Sequence, residues 1–272
     1  MSVHNSTARI TIRQLHDMKA RGEKIACLTA YDVSFARVLD ANNVDVVLVG
    51  DSLGMVIQGH DTTLPVTMDD MVYHGRAVAR GLQRAMLILD MPFLSDATLV
   101  QTVTNAGRFM KETGAAMVKL EGGADQKEIV SALTRIGIPV CAHIGLQPQR
   151  VHKLGGYKVQ GREQAAALAM LDDARILEQA GADMLLIECV PSELAARITA
   201  QAKIPVIGIG AGAACDGQIL VLYDILGISA GRIPKFSKNY LTAGASDIAA
   251  AVKLYVDEVK RGVFPDIGRS FE

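Results

Sequence analysis

The sequence predicts an α/β protein folded as a single (β/α)8 barrel. Eight short apolar runs recur along its 272 residues, each followed by a polar or Gly-rich turn and then by a segment of helical period. The runs are apolar throughout and do not alternate with polar residues, as expected of parallel strands buried on both faces. Half of the residues are hydrophobic, only 4% are aromatic and Trp is absent, so the core must be built from aliphatic side chains, which suits a barrel interior.

Thr11 followed by Gln14 reads as a capping box, with Ile10 and Leu15 as its hydrophobic staple, and predicts a short N-terminal helix that covers the barrel floor. Strands are expected at residues 25–30, 44–49, 85–89, 115–120, 138–143, 182–187, 204–209 and 218–223. Between them lie helical segments such as 126–136 and 164–180, closed by Gly137 and Gly181, the residue that a left-handed C-terminal cap favours. Two connections exceed a minimal barrel loop, residues 51–67 and 145–162, and long loops after strands are commonly functional. No linker or change of composition divides the chain, so residues 1–272 read as one domain, a TIM barrel. A doubly wound open sheet is the alternative, because periodicity does not reveal whether the first and last strands pair.

Twenty-eight basic residues balance 29 acidic ones for a net charge of -1, and no run of like charge interrupts the chain. Nucleic acid and acidic membranes are therefore not expected partners. Residues 1–10 lack the apolar stretch of a secretory signal, and no apolar run approaches the ~20 residues that span a bilayer. A cytoplasmic location follows as the expectation. Cys27, Cys141 and Cys189 lie in apolar runs and Cys215 in a loop, without a CxxC pair, and read as small buried hydrophobes.

The chemistry is expected where the strands end. Asp32, Asp51, Asp90, Glu121, His143 and Glu188 close the first six segments in turn, and a barrel would bring all six to its C-terminal rim, where such enzymes keep their active sites. Lys119 and Glu121, two apart on one strand, should face the same way. Crowded carboxylates need a cation or a proton among them, and an oxygen-rich set without paired His or Cys favours Mg²⁺ over zinc. Each acid has a plainer reading as a helix cap or ion-pair partner. For Asp32, beside Tyr31, the cap is preferred. The segment Gly208-Ile209-Gly210-Ala211-Gly212 is a weak dinucleotide pattern without its third glycine, and close backbone packing is preferred to phosphate binding. The loop from Gly155 to Arg162 reads equally as a lid over substrate or as a surface or subunit-contact loop.

The run Val49-Gly50-Asp51-Ser52-Leu53-Gly54-Met55, continued by Gln58-Gly59-His60 and Thr63-Leu64-Pro65-Val66-Thr67, resembles the signature of the ketopantoate hydroxymethyltransferase family. So do Asp90-Met91-Pro92-Phe93, Lys119-Leu120-Glu121-Gly122-Gly123, His143-Ile144-Gly145-Leu146, Glu188-Cys189-Val190-Pro191, Asp216-Gly217-Gln218 and Pro234-Lys235-Phe236, all in the right order. The resemblance implies a (β/α)8 barrel that moves a one-carbon unit from 5,10-methylenetetrahydrofolate to 3-methyl-2-oxobutanoate, giving 2-dehydropantoate for pantothenate synthesis. It implies Mg²⁺ surrounded by Asp51, Asp90 and Glu121. Ser52 and Lys119 would join Asp51 and Asp90 in holding the oxo acid, and Glu188 would be the base. It also implies a homo-oligomer, a decameric ring. His143 is expected either to hydrogen-bond the substrate or a metal-bound water, or simply to be packed at the rim. The competing expectations are a lyase or mutase of the isocitrate lyase type, and a barrel that binds an oxo acid or folate without turnover.

Overall fold

The eight strands are β1 (Ile25–Thr29), β2 (Val46–Val49), β3 (Met86–Asp90), β4 (Met117–Glu121), β5 (Val140–Gly145), β6 (Met184–Glu188), β7 (Val206–Ile209) and β8 (Gly217–Leu220). They lie in chain order, all parallel, and close on themselves in the computed structural model, which describes residues 9–229 and 233–272. Pairing of β1 with β8, from Ile25 opposite Gly217 to Leu28 opposite Leu220, makes the sheet a barrel and excludes the open doubly wound alternative.

Alternation along each strand sorts the apolar residues into two layers. One set fills the barrel interior, including Ile25, Cys27, Val46, Leu48, Met86, Ile88, Met117, Cys141, Met184 and Leu186. The other set faces the surrounding helices in a second and larger cluster. Helix α1 (Ile12–Ala20) has the expected capping box, and its Leu15 and Met18 join the interior cluster, so it closes the floor. Burying side chains of that size stabilises by about 1.5–3 kcal/mol each.

Further helices follow the strands: α2 (Val33–Ala41), α3 (Met68–Ala79), α4 (Leu99–Thr113), α5 (Lys127–Arg135), α6 (Gln164–Gln179), α7 (Ser192–Gln201) and α8 (Ile248–Lys260). The expected helix 126–136 begins one residue later, after a 3-10 turn, Ala124–Gln126, and ends one residue earlier, at Arg135. Gly137 and Gly181 take positive φ as their capping role requires.

One boundary differs in kind. The eighth strand ends at Leu220, and the rest of the apolar run to Tyr223 turns into a short helix, Leu222–Leu226. The hydroxyl of Thr29 accepts the Leu222 backbone N–H at 3.0 Å and starts that helix. The β1–β8 seam has a fastener of its own. Tyr255 of α8 places its buried hydroxyl 2.9 Å from both the Cys27 and the Gln218 carbonyls, one on each strand. All four cysteines are free and buried. Among the described residues no helix is long and apolar enough to cross a membrane.

Candidate active site

The strand ends deliver their polar side chains to one cavity of about 710 Å³, lined by Asp51, Ser52, Asp90, Lys119, Glu121, His143 and Glu188 among others. Lys119 and Glu121 share a face, as the two-residue period requires. All seven expected site residues therefore meet in one place. Asp32 does not: its Oδ1 accepts from the backbone N–H groups of Ser34 and Phe35 and caps α2, the plainer of its two readings.

Two buried carboxylates, those of Asp90 and Glu121, share one ammonium, and that of Asp51 lies close by. Lys119 Nζ donates to Asp90 Oδ1 and Oδ2, each at 2.7 Å, and lies 3.6 Å from Glu121 Oε1. The backbone N–H of Asp51 reaches Asp90 Oδ2 at 3.3 Å. Burial, with Asp90 and Glu121 nearby, pushes the Asp51 carboxyl well above the usual range, against the opposing pull of Lys119 and Gln149. Burial raises Asp90 as well, although Lys119 opposes it. Burial also works against the Glu121 carboxylate, but there Lys119 and His143 prevail and hold its pKa below the ordinary value. For Lys119, burial opposes the charge, yet Asp90, Glu121 and Asp51 together keep it firmly protonated.

His143 stands between two acids, its Nδ1 3.5 Å from Glu121 Oε1 and its Nε2 3.4 Å from Glu188 Oε2. Those separations exceed a well-formed hydrogen bond, and both ring nitrogens and Glu121 Oε1 are buried without a partner. Burial and Lys119 lower the imidazole pKa, but the two flanking carboxylates outweigh them and raise it. The ring is thus buried, with each nitrogen turned toward an acid.

The donor set suits a hard divalent cation. It consists of oxygens only, its three carboxylates outnumber the one ammonium among them, and Glu121 Oε1 has no hydrogen bond to lose. Among the described residues no trio of His, Cys, Asp or Glu side chains already stands drawn together as a chelate. Lys119 takes up both oxygens of Asp90 in that space.

Several contributors carried no sequence signal. Gln149, in the 3-10 turn Pro148–Arg150 after β5, donates from its side chain to Asp51 Oδ2 at 3.0 Å and from its backbone to Glu121 Oε2 at 3.1 Å. Tyr31, buried at the end of β1, shares a 2.9 Å hydrogen bond with the Ser52 hydroxyl. Asp224, raised by burial, lines the cavity beyond β8 and accepts from Ser229 and Ser237. The long loop 145–162 is the one cue that pointed toward Gln149.

The loops divide by role. Tyr157 and Val159, from the Gly155 to Arg162 loop, line the cavity, and the Tyr157 hydroxyl contacts Met55 Sδ at 3.7 Å. The Gly-rich turn after β7 is close packing: a Cβ on Gly210 would stand 2.8 Å from the Phe236 ring and one on Gly212 2.7 Å from Ser192 Oγ. Gly145 has φ of +93°, and a Cβ there would collide with the Glu188 backbone carbonyl, so only Gly lets β5 run this close to the Glu188 strand end. Cys189, in the apolar run, directly follows β6 with φ of +48° and lines the cavity.

Fold and site together define a (β/α)8-barrel enzyme whose rim gathers carboxylates, an ammonium and an imidazole around one concave space. The sequence profile of the ketopantoate hydroxymethyltransferase family matches residues 9–267, and the chain belongs to that family. It is 60% identical over 262 residues to the 3-methyl-2-oxobutanoate hydroxymethyltransferase of Alkalilimnicola ehrlichii, covering 96% of this chain and 94% of that one. It is 58% identical to the enzyme of the same name from Nitrosococcus oceani, over 97% and 99% of the two chains.

Among solved structures, a putative phosphonomutase from Burkholderia cenocepacia superposes with a TM-score of 0.61 at 14% identity, over 79% of this chain and 94% of that one. A 2,3-dimethylmalate lyase of the PEP mutase/isocitrate lyase superfamily does so with 0.58 at 17%, over 80% and 83%. At such identity these likenesses show the shared barrel alone.

Proposed function

We propose that this chain transfers a hydroxymethyl group to 3-methyl-2-oxobutanoate, taking the carbon from 5,10-methylenetetrahydrofolate and giving 2-dehydropantoate for cytoplasmic pantothenate synthesis, with Mg²⁺. The carrying observation is the meeting of Asp51, Asp90, Glu121, Lys119, His143 and Glu188 on one cavity, in a chain that belongs to this family.

Asp51, Asp90 and Glu121 would hold the cation, which when bound supplies Lewis-acid polarisation of the oxo acid. Lys119 offsets the negative charge that develops on the substrate oxygen, a contribution of about 3 kcal/mol for one well-placed donor. Ser52, held by Tyr31, donates to the substrate carboxylate. Glu188 removes the C3 proton, and His143, 3.4 Å away, orients and stabilises its carboxylate. The C3 carbanion then forms the new C–C bond to the one-carbon unit as that unit's two C–N bonds to the folate break. Water supplies the hydroxyl oxygen, and the C3 proton and one proton of that water end on the two folate nitrogens as tetrahydrofolate leaves. A small oxo acid fills only part of the cavity, which leaves room for the second reactant. Exposed apolar side chains such as Tyr73, Val100 and Ile267 support a homo-oligomer, which a mass measurement in solution would test.

The deciding experiment follows the C3 hydrogen of 3-methyl-2-oxobutanoate in deuterium oxide, with and without Mg²⁺. Exchange that requires both protein and Mg²⁺, and that precedes any need for folate, is the expected result. No exchange, together with cleavage of isocitrate or 2,3-dimethylmalate, would move the reading to the lyase class.

A further inference from the structure

We propose that Gln149 is a positioning residue that sets the carboxylates for the divalent cation; the proposal rests on reading Asp51, Asp90 and Glu121 as the Mg²⁺ set. Gln149 is buried and belongs to no strand of the barrel. Its side-chain amide donates both to Asp51 Oδ2, at 3.0 Å, and to the Met91 carbonyl, at 2.8 Å. Its backbone N–H donates to Glu121 Oε2 at 3.1 Å. One residue from the loop after β5 thus ties together the ends of β2, β3 and β4.

The chemistry of the side chain fits this duty closely. Asp51 and the Met91 carbonyl are both acceptors, and a primary amide supplies two N–H donors without adding charge. A glutamate there would turn an oxygen toward each acceptor. An asparagine is one methylene too short to span both. Glu121 is hydrogen-bonded through one oxygen only: Oε2 accepts from the Gln149 backbone, while Oε1 is buried without a hydrogen-bond partner, Lys119 and His143 standing 3.6 and 3.5 Å away. Fixing one carboxylate oxygen with the protein and leaving the other for a cation is how outer residues orient metal ligands, and removing such a partner typically costs about 10–100-fold in metal affinity. The same loop continues to Tyr157 and Val159, which line the cavity, so cation geometry and the wall over the substrate are set by one segment.

The test compares the parent with Gln149→Met, which keeps the side-chain length and the backbone bond to Glu121 but deletes both amide donors. Mn²⁺ affinity is read by electron paramagnetic resonance, binding of 3-methyl-2-oxobutanoate by calorimetry, and folding by the thermal midpoint without metal. Mn²⁺ binding about 10–100-fold weaker, with oxo-acid binding weakened only when metal is present, is the expected result. Mn²⁺ affinity equal to the parent's overturns the proposal, even if the midpoint falls, because a purely structural role would show that pattern. If Gln149→Met does not fold, Gln149→Asn carries the same comparison with the same two outcomes. A parent protein that binds no Mn²⁺ at all would instead overturn the reading of the carboxylate set itself.

Discussion

The ammonium of Lys119 sits 2.7 Å from each carboxylate oxygen of Asp90, both residues buried, and it is also the near neighbour of Glu121. A fully buried pair of this kind costs much more to break than to keep, since removing one partner strands the other charge. Lys119→Met is therefore expected to destabilise the protein by about 3–5 kcal/mol at neutral pH, with part of the loss recovered on adding Mg²⁺. Urea unfolding with and without the ion measures both. A variant as stable as the parent would contradict the arrangement.

Asp96, in the turn after β3, has its carboxyl pushed up to about 6 from an ordinary 3.8 by burial, with Glu121 and Asp90 adding to the effect. Its proton is held more tightly in the fold than in the unfolded chain. Its contribution is thus most favourable below pH 3.8 and is lost as pH rises to about 6. Asp96→Asn should stabilise the protein by about 3 kcal/mol at pH 8, the rise from 3.8 to about 6 being worth about 1.4 kcal/mol per unit, and by much less at pH 4. Denaturant titrations at the two pH values check it, and equal effects at both would refute the assignment.

Glu188→Gln leaves every carboxylate of the cation set in place. Oxo-acid binding in the presence of Mg²⁺ should survive, while exchange of the C3 hydrogen should fall by about 10²–10⁴-fold, the usual worth of a general base. Nuclear magnetic resonance in deuterium oxide reports both quantities on one sample. Exchange at the parent rate would remove Glu188 from the base role.

Gly145→Ala forces a side chain into positive φ and against the Glu188 carbonyl. Strain of that sort costs about 1–3 kcal/mol, and here it is expected to be relieved by displacement of the β6 end. A fall in stability accompanied by slower C3 exchange is the expected pair. Gly137→Ala, whose added Cβ would meet open space, should cost stability through its positive φ without touching exchange.

What could be read from the residues and what could not divide along a physical line. Strands buried on both faces declare themselves as unbroken apolar runs, and Asp51, Asp90, Glu121 and Glu188 stand out together, because acids that close several such runs are harder to explain as caps or ion pairs than any one of them alone. Boundaries were less legible: Leu222 looks like more strand, yet the Thr29 hydroxyl draws its backbone into a helix. Gln149 and Tyr31 were invisible for a different reason. A glutamine in a loop and a tyrosine after a strand are ordinary residues, and their meaning comes from Asp51 and Ser52, which lie 98 and 21 positions away in the chain. Closure was equally hidden, since no pattern in either β1 or β8 states that the two are partners.

The Tyr255 hydroxyl that bridges Cys27 and Gln218 gives the chain a timetable. Its bolt lies 37 positions downstream of Gln218, so a growing polypeptide holds all eight strands before it holds the group that locks their ring. Until α8 emerges from the ribosome, the β1–β8 pairing lacks this bridge, and the two strands are more easily opened to wrong partners. A nascent chain stalled ahead of residue 248 is accordingly expected to be protease-sensitive and to recruit chaperones, and one stalled well beyond it to resist.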